Sequence, residues 1–382
     1  MDHRRLRRGP QQGDGQRHPR GRRRAGDPED GPAHPLRGVL ARLDGGRLPR
    51  HPGRRRAQGR ALHDPEVDLR QEVTVTGGRA LTVALALALS AAAPVAGAGA
   101  RLAVVATSTD LQSLAEAVGG DRVAVESLAA PLQDPHAVEV KPGQLARLKS
   151  AALLVRVGLD HEPWLRRALA SLGDAAPAPG GPRDLDLSRS VALLQTETPR
   201  LRADAAPHQH GLGNPHYWLD PENARPMTAA IVGALARLAP AERGRFEDNR
   251  RRFLARLDAG LGRWRTALAP HRGARLVTMH DSWPYFAARF GLSIVATVEP
   301  TPGVPPSPAA LGALTGRMRA SGVRLLVAEP YADPALVRGI AAKTGARVVP
   351  LVPSVGGAPE AADYLALFDL DVARLARALT EP

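Results

Sequence analysis

The chain has 382 residues, enough for two domains, and no cysteine, which excludes disulfides, thiolate metal sites and a cysteine nucleophile. Its formal charge of +14 invites a nucleic-acid reading, but the excess is unevenly placed: residues 1–72 hold 18 Arg against 10 acids, whereas residues 101–382 hold 33 basic against 28 acidic side chains. Only Lys141, Lys149 and Lys343 are lysines, which points to a GC-rich coding bias rather than to a phosphate-binding design, so no nucleic-acid partner is expected.

In chain order, residues 1–72 are dense in Arg, Gly, Pro and Asp and almost without apolar periodicity. Such a segment buries too little surface to offset its ordering entropy and is expected to be a disordered Arg-rich extension, or the product of a mis-assigned start. Residues 73–100 follow a different logic. A single charge at Arg79, the short apolar run from Ala80 to Leu89 and the small residues Ala96 to Ala100 have the layout of a secretory signal peptide. The expected true start is near Val73, and the expected mature chain begins near Arg101 and enters the periplasm.

The remainder alternates strand and helix. Leu102–Thr107 is an apolar, β-branched run read as a buried strand, followed by a helix over Asp110–Val118 and a strand over Arg122–Leu128. A short helix over Pro142–Ser150, a strand over Ala152–Val157 and a helix over Glu162–Leu172 come next. Residues 174–190, rich in Pro, Gly and Asp, are expected to form a surface loop. Pro221 opens a helix to about Leu238, closing a first lobe at 101–239. Residues 240–269 carry Phe246, Phe253, Leu257, Leu261, Trp264 and Leu268 at helical spacing and predict one long helix linking two lobes. The second lobe, 270–382, repeats the pattern, with strands at Arg275–Met279, Ile294–Val298, Val323–Ala328 and Arg347–Leu351 and helices at Ser307–Ala320, Asp333–Thr344 and Ala361–Leu379. The fold class expected is α/β: two βα lobes with mainly parallel sheets, joined by one long helix, with a ligand site in the cleft between them.

Seven histidines fall in residues 101–382, and three sit in strand-end settings: His136 in Asp134-Pro135-His136, His216 in Asn214-Pro215-His216-Tyr217-Trp218, and His280 before Asp281. Neutral imidazole suits Zn²⁺, and three of them with one oxygen make a tetrahedral site. Their spacing alone carries no local motif and leaves two readings open, a metal site or loop histidines satisfied by hydrogen bonds. His161 reads as a helix-start cap or surface residue, and His271 as a surface residue. Trp164, Trp218 and Trp283 are expected to pack the cleft.

The segments DPHAVEVKPGQLARLKSAALLVRVGLDHEPWL (134–165), NPHYWLDPENA (214–224), VTMHDSWPYFAARFGL (277–292) and VAEPYADPALVRGIAAKTGARVVPL (327–351) resemble the zinc/manganese, TroA-like family of ABC-transporter solute-binding proteins. The resemblance implies a periplasmic protein, monomeric and without catalytic residues, that captures Zn²⁺ and hands it to an ABC transporter membrane permease. It implies His136, His216 and His280 as metal ligands; manganese-related members carry Glu at the third position, so His280 favours zinc over Mn²⁺ or another divalent ion. Many members place an Asp after the last strand, whereas here Leu351–Gly357 contains no carboxylate, leaving Glu329 or water to complete the sphere. Asp281 is expected to orient a histidine, and His208 and His210 to act as auxiliary zinc-gathering residues. The alternative is a three-histidine zinc hydrolase, against which stands the lack of a motif such as H-E-x-x-H.

Overall fold

The computed structural model describes residues 100–196, 213–300 and 304–381. The extension expected at 1–72, the signal peptide expected over 73–100 (Ala100 apart), and His208 and His210 lie outside the described residues.

The first sheet contains β1 (Leu102–Ala106), β2 (Val123–Ser127), β3 (Leu153–Arg156) and β4 (Asp184–Asp186), all parallel in the order β2-β1-β3-β4. Helices α1 (Thr109–Gly119), α2 (Pro142–Ser150) and α3 (Pro163–Leu172) connect successive strands. After α4 (Ala224–Leu238) and α5 (Arg243–Leu268), the second sheet repeats the plan with β5 (Arg275–His280), β6 (Ser293–Glu299), β7 (Leu325–Ala328) and β8 (Arg347–Pro350) in the order β6-β5-β7-β8, again all parallel. Helices α6 (Pro284–Phe290), α7 (Pro308–Ala320) and α8 (Pro334–Thr344) connect these strands, and α9 (Tyr364–Thr380) closes the chain. In both sheets the strand order reverses beside the first strand, so the ligand crevice belongs at the carboxyl ends of β1 and β3 and of β5 and β7.

Local chemistry sets the element ends. The Ser108 and Ser307 hydroxyls accept from Leu111 N and Ala310 N, and the Asp333 and Asp363 carboxylates cap α8 and α9. Proline occupies the first turn of α2, α3, α6, α7 and α8. Helix α8 ends at Gly345 in the left-handed region (φ 69°), as its sequence position suggested.

Three local expectations are corrected. Residues 174–190 are not all loop, because Asp184–Asp186 pairs with β3 as an edge strand. Its acids are tolerated there because Arg156 donates to both oxygens of Asp184 (2.8 and 3.0 Å) and pairs with Asp186 (3.0 Å). The helix expected from Pro221 begins as a 3₁₀ turn, Pro221–Asn223. The long helix is 26 residues, roughly 39 Å at 1.5 Å per residue, with 3₁₀ turns at Pro240–Glu242 and Ala269–His271 replacing its outer turns.

Each sheet is buried on both faces. One face of the first sheet packs with α2 and α3 through Leu148, Leu154 and Leu165, and one face of the second packs with α7 and α8 through Leu314, Leu326 and Ile340. The two inner faces share a single core in which Phe246, Phe253, Leu257, Leu261, Trp264 and Leu268 of α5 are buried, as the periodicity predicted. Helix α5 packs against α1, α4 and α9. Polar ties cross the same seam: Trp218 Nε1 donates to the Pro353 carbonyl (2.9 Å), Val355 N donates to Asp110 Oδ1 (2.9 Å), and Arg289 grips both oxygens of Asp220 (2.6 and 2.7 Å). Among the described residues no helix is long and apolar enough to cross a membrane.

Candidate metal centre

His136 lies in the turn after β2. Its backbone N–H donates to Asp134 Oδ1 (2.9 Å), and Trp164 Nε1 donates to the Pro135 carbonyl (2.8 Å), which fixes the turn from outside. The His136 ring makes a 3.0 Å contact from Nδ1 to the His161 carbonyl. A carbonyl only accepts, so the proton sits on Nδ1 and Nε2 is the lone-pair nitrogen. Burial pulls the His136 pKa below its ordinary value against the opposing pull of Asp134 and the His161 carbonyl, and the nearby charge of His280 lowers it further. The ring is therefore neutral near pH 7, the form that binds metal.

His216 is oriented in the same way by Asn214, whose Oδ1 accepts from His216 N (2.9 Å) and Nδ1 (3.1 Å). The amide of Asn214 cannot be flipped without loss, because its Nδ2 donates to the Asp281 carbonyl (2.8 Å) and lies 3.2 Å from Asp281 Oδ2. Asp281 thus reaches a histidine through Asn214, an indirect form of the orienting role expected of it. Tyr285 closes the same corner, donating to the Asn214 carbonyl (2.8 Å).

His161 corrects the sequence reading. It is neither a cap nor a surface residue but 1% exposed, with its ring beside those of His136 and His216. The turn that brings it inward runs through Gly158, Leu159 and Asp160, all at positive φ (81°, 57° and 56°). Two non-glycine residues in that region are costly and need external support. Glu162 supplies it: one oxygen accepts from Val157 N (2.7 Å) and Thr107 Oγ1 (2.6 Å), the other from Gly158 N (3.1 Å). Burial pushes the Glu162 pKa up to about 7 despite these bonds.

The ring centroids of His136 and His161, His161 and His216, and His136 and His216 are 4.4, 5.3 and 5.7 Å apart, and one nitrogen from each ring lies within 4.8 Å of the other two. Ligand nitrogens on a tetrahedral zinc stand about 3.4 Å apart for Zn–N bonds near 2.05 Å.

His280, at the last residue of β5, is not part of this three-nitrogen cluster. Its Nδ1 donates to Glu329 Oε2 (2.8 Å) and its Nε2 to Glu299 Oε2 (3.1 Å), and its ring lies 5.3 Å from that of Tyr331. Burial alone would lower its pKa, but the hydrogen bond and charge of Glu329, then those of Glu299, outweigh it and hold the pKa above the ordinary value. Glu329 faces His280 rather than the cluster. Both its oxygens are engaged, since Oε1 accepts from Trp283 Nε1 (2.7 Å), and its side chain has no exposure. Glu299, which the sequence reading did not single out, ends β6 directly opposite His280 in the strand register. A lone acid closing an apolar strand before Pro300 was the available signal. Of the tryptophans, Trp218 and Trp283 are buried in the shared core and Trp164 backs the His136 turn.

Two all-parallel α/β lobes with histidines gathered at their strand ends define a two-lobed solute-binding protein. The chain belongs to the family of zinc-uptake complex component A, periplasmic (ZnuA), whose model matches residues 104–378. It is 28% identical over 294 residues to the high-affinity zinc uptake system protein ZnuA of Paracoccus denitrificans, covering 67% of this chain and 85% of that protein. It is also 28% identical to the protein of the same name from Yersinia pestis, over 67% of this chain and 84% of the relative. A crystal structure of ZnuA superposes with a TM-score of 0.62 at 26% identity, over 73% of this chain and 100% of that one. A zinc-bound ZnuA deletion mutant gives the same TM-score and identity.

Proposed function

We propose that this protein captures Zn²⁺ in the periplasm and delivers it, as a monomer, to the membrane permease of an ABC importer. The observation that carries the reading is the pair His136 and His216, each with Nδ1 held by an oxygen acceptor, in a largely buried group of three imidazoles that each bring a nitrogen within 4.8 Å of the other two. In this reading His280 is the ligand contributed by the second lobe. It releases Glu299 from Nε2 and keeps Nδ1 on Glu329, the carboxylate–histidine–metal arrangement that orients zinc ligands. Glu329 then positions His280 instead of binding the ion itself, and water or a further side chain fills the remaining place. An all-imidazole set favours zinc over Mn²⁺, for which carboxylate and water are the better donors.

The site is built to hold rather than to react. Glu329 stays on His280 and Trp283, and Glu162 on backbone and hydroxyl donors, so neither of these carboxylates is poised as a general base on a metal-bound water. The experiment is a zinc titration against a chromophoric chelator: the natural sequence binds tightly and His216→Ala loses at least about a hundredfold. Unchanged affinity in a folded His216→Ala protein rejects the site.

A further inference from the structure

We propose that His161 is itself a zinc ligand, so that the first lobe alone carries a complete three-imidazole landing site and His280 joins it from the second lobe afterwards. The inference rests on the zinc-binding reading above and adds a residue that the resemblance does not assign.

Four observations support it. A nitrogen of His161 lies within 4.8 Å of ligand nitrogens of both His136 and His216. All three residues follow strands of the first sheet: His136 after β2, His161 after β3, and His216 on the segment after β4. They can therefore converge without any movement between lobes. The turn that delivers His161 is built at a conformational cost, with Leu159 and Asp160 both left-handed, and it is braced by the buried Glu162 carboxylate through Val157 N, Gly158 N and Thr107 Oγ1. The same turn aims the His161 carbonyl at His136 Nδ1, so one segment presents one imidazole and fixes the donor atom of the next.

The order of events follows from where His280 stands. It is held by two carboxylates at 2.8 and 3.1 Å, whereas the first-lobe rings already face one another. An arriving ion meets the preassembled trio first, and His280 exchanges Glu299 for the metal second.

The test uses the full chain loaded with zinc, read by X-ray absorption at the zinc edge for the number of imidazoles and by chelator competition for affinity. His161→Phe keeps the backbone carbonyl and the bulk. The expected result is one imidazole fewer than in the natural sequence and an affinity lower by at least about a hundredfold. His280→Ala is expected to keep zinc on three imidazoles. An unchanged imidazole count in His161→Phe, or only two in His280→Ala, overturns the proposal. If His161→Phe does not fold, the count in His280→Ala decides alone. Loss of affinity in His216→Ala together with an unchanged His161→Phe overturns the His161 assignment and leaves the zinc reading standing. Wild-type affinity in both His216→Ala and His161→Phe overturns both.

Discussion

Replacing Asn214 tests how the pocket chooses its donor atoms without touching any proposed ligand. Asn214 Oδ1 accepts from both the backbone and the ring of His216, at 2.9 and 3.1 Å, while Nδ2 is anchored on the Asp281 carbonyl at 2.8 Å. In Asn214→Ala the ring loses the acceptor that keeps its proton on Nδ1, and the backbone before the 3₁₀ turn Tyr217–Leu219 loses its brace. Loss of such an outer partner costs about 10–100-fold in metal affinity, or about 1.4–2.7 kcal/mol. With two bonds to His216 lost at once, the upper half of that range is expected. Asn214→Asp separates the two halves of the argument. It keeps the acceptor, and so most of the affinity, but sets a second carboxylate where Asp281 Oδ2 now lies 3.2 Å from the amide nitrogen, so the metal-free protein should melt lower. The assays are chelator competition for zinc and circular dichroism for the fold. A folded Asn214→Ala protein with undiminished affinity would refute the idea that the His216 tautomer is set by this amide.

Two further outcomes concern stability. Asp110 is fully buried, and its pKa is pushed from 3.8 up to about 7 by desolvation, against the lowering effect of Val355 N and the hydroxyls of Ser354 and Ser108. The folded protein therefore holds a proton that the unfolded chain gives up above pH 3.8. Stability from this group is fully present at low pH and drains away as pH rises through about 7, by at most ~4 kcal/mol. Urea titrations of the metal-free protein between pH 4 and 7 should show that slope, and Asp110→Asn should flatten it; an unchanged slope sinks the assignment. Trp218→Phe keeps the buried apolar mass but strands the Pro353 carbonyl, now bonded at 2.9 Å, and should cost ~1–3 kcal/mol in thermal unfolding, whereas a neutral result would mean that water replaces the indole N–H.

Strands such as Leu102–Ala106 were legible as short apolar, β-branched runs, and helices such as α5 because their burial follows a period that the sequence displays. β4 was not, because an Asp-Leu-Asp run looks like a turn until Arg156, some thirty residues earlier, is placed beside it. α6 is only seven residues long, too short for its period to stand out. At the site, His136 and His216 were marked by their own turns, Asp-Pro-His and Asn-Pro-His. His161 was obscured by a helix-start context, and what turns it inward is the left-handed pair Leu159 and Asp160, held by Glu162 through its neighbours Val157 and Gly158 and through the distant Thr107, an arrangement that hydrophobic periodicity does not display. The engagement of His280 depends on acids closing β6 and following β7, so the strand register decides it and sequence spacing does not.

The shared core limits how zinc can enter and leave. Rotating the lobes apart along α5 would uncover Phe246, Phe253, Leu257, Leu261 and Trp264, which fill the seam between α1, α4 and α9. At roughly 1.5–3 kcal/mol for each large apolar side chain, that exposure is of order 10 kcal/mol. This is comparable with the whole ~5–15 kcal/mol that keeps a domain folded. The Asp220–Arg289 pair and the Trp218–Pro353 bond would break as well. Wide opening is therefore too costly to be the working stroke. The affordable movements are local: His280 returning from the ion to Glu299, and the Gly158–Asp160 turn relaxing from its left-handed geometry. Either displaces one donor from the ion without opening the core. A permease that pulls on the strand-end loops needs to shift only those side chains to lower the affinity.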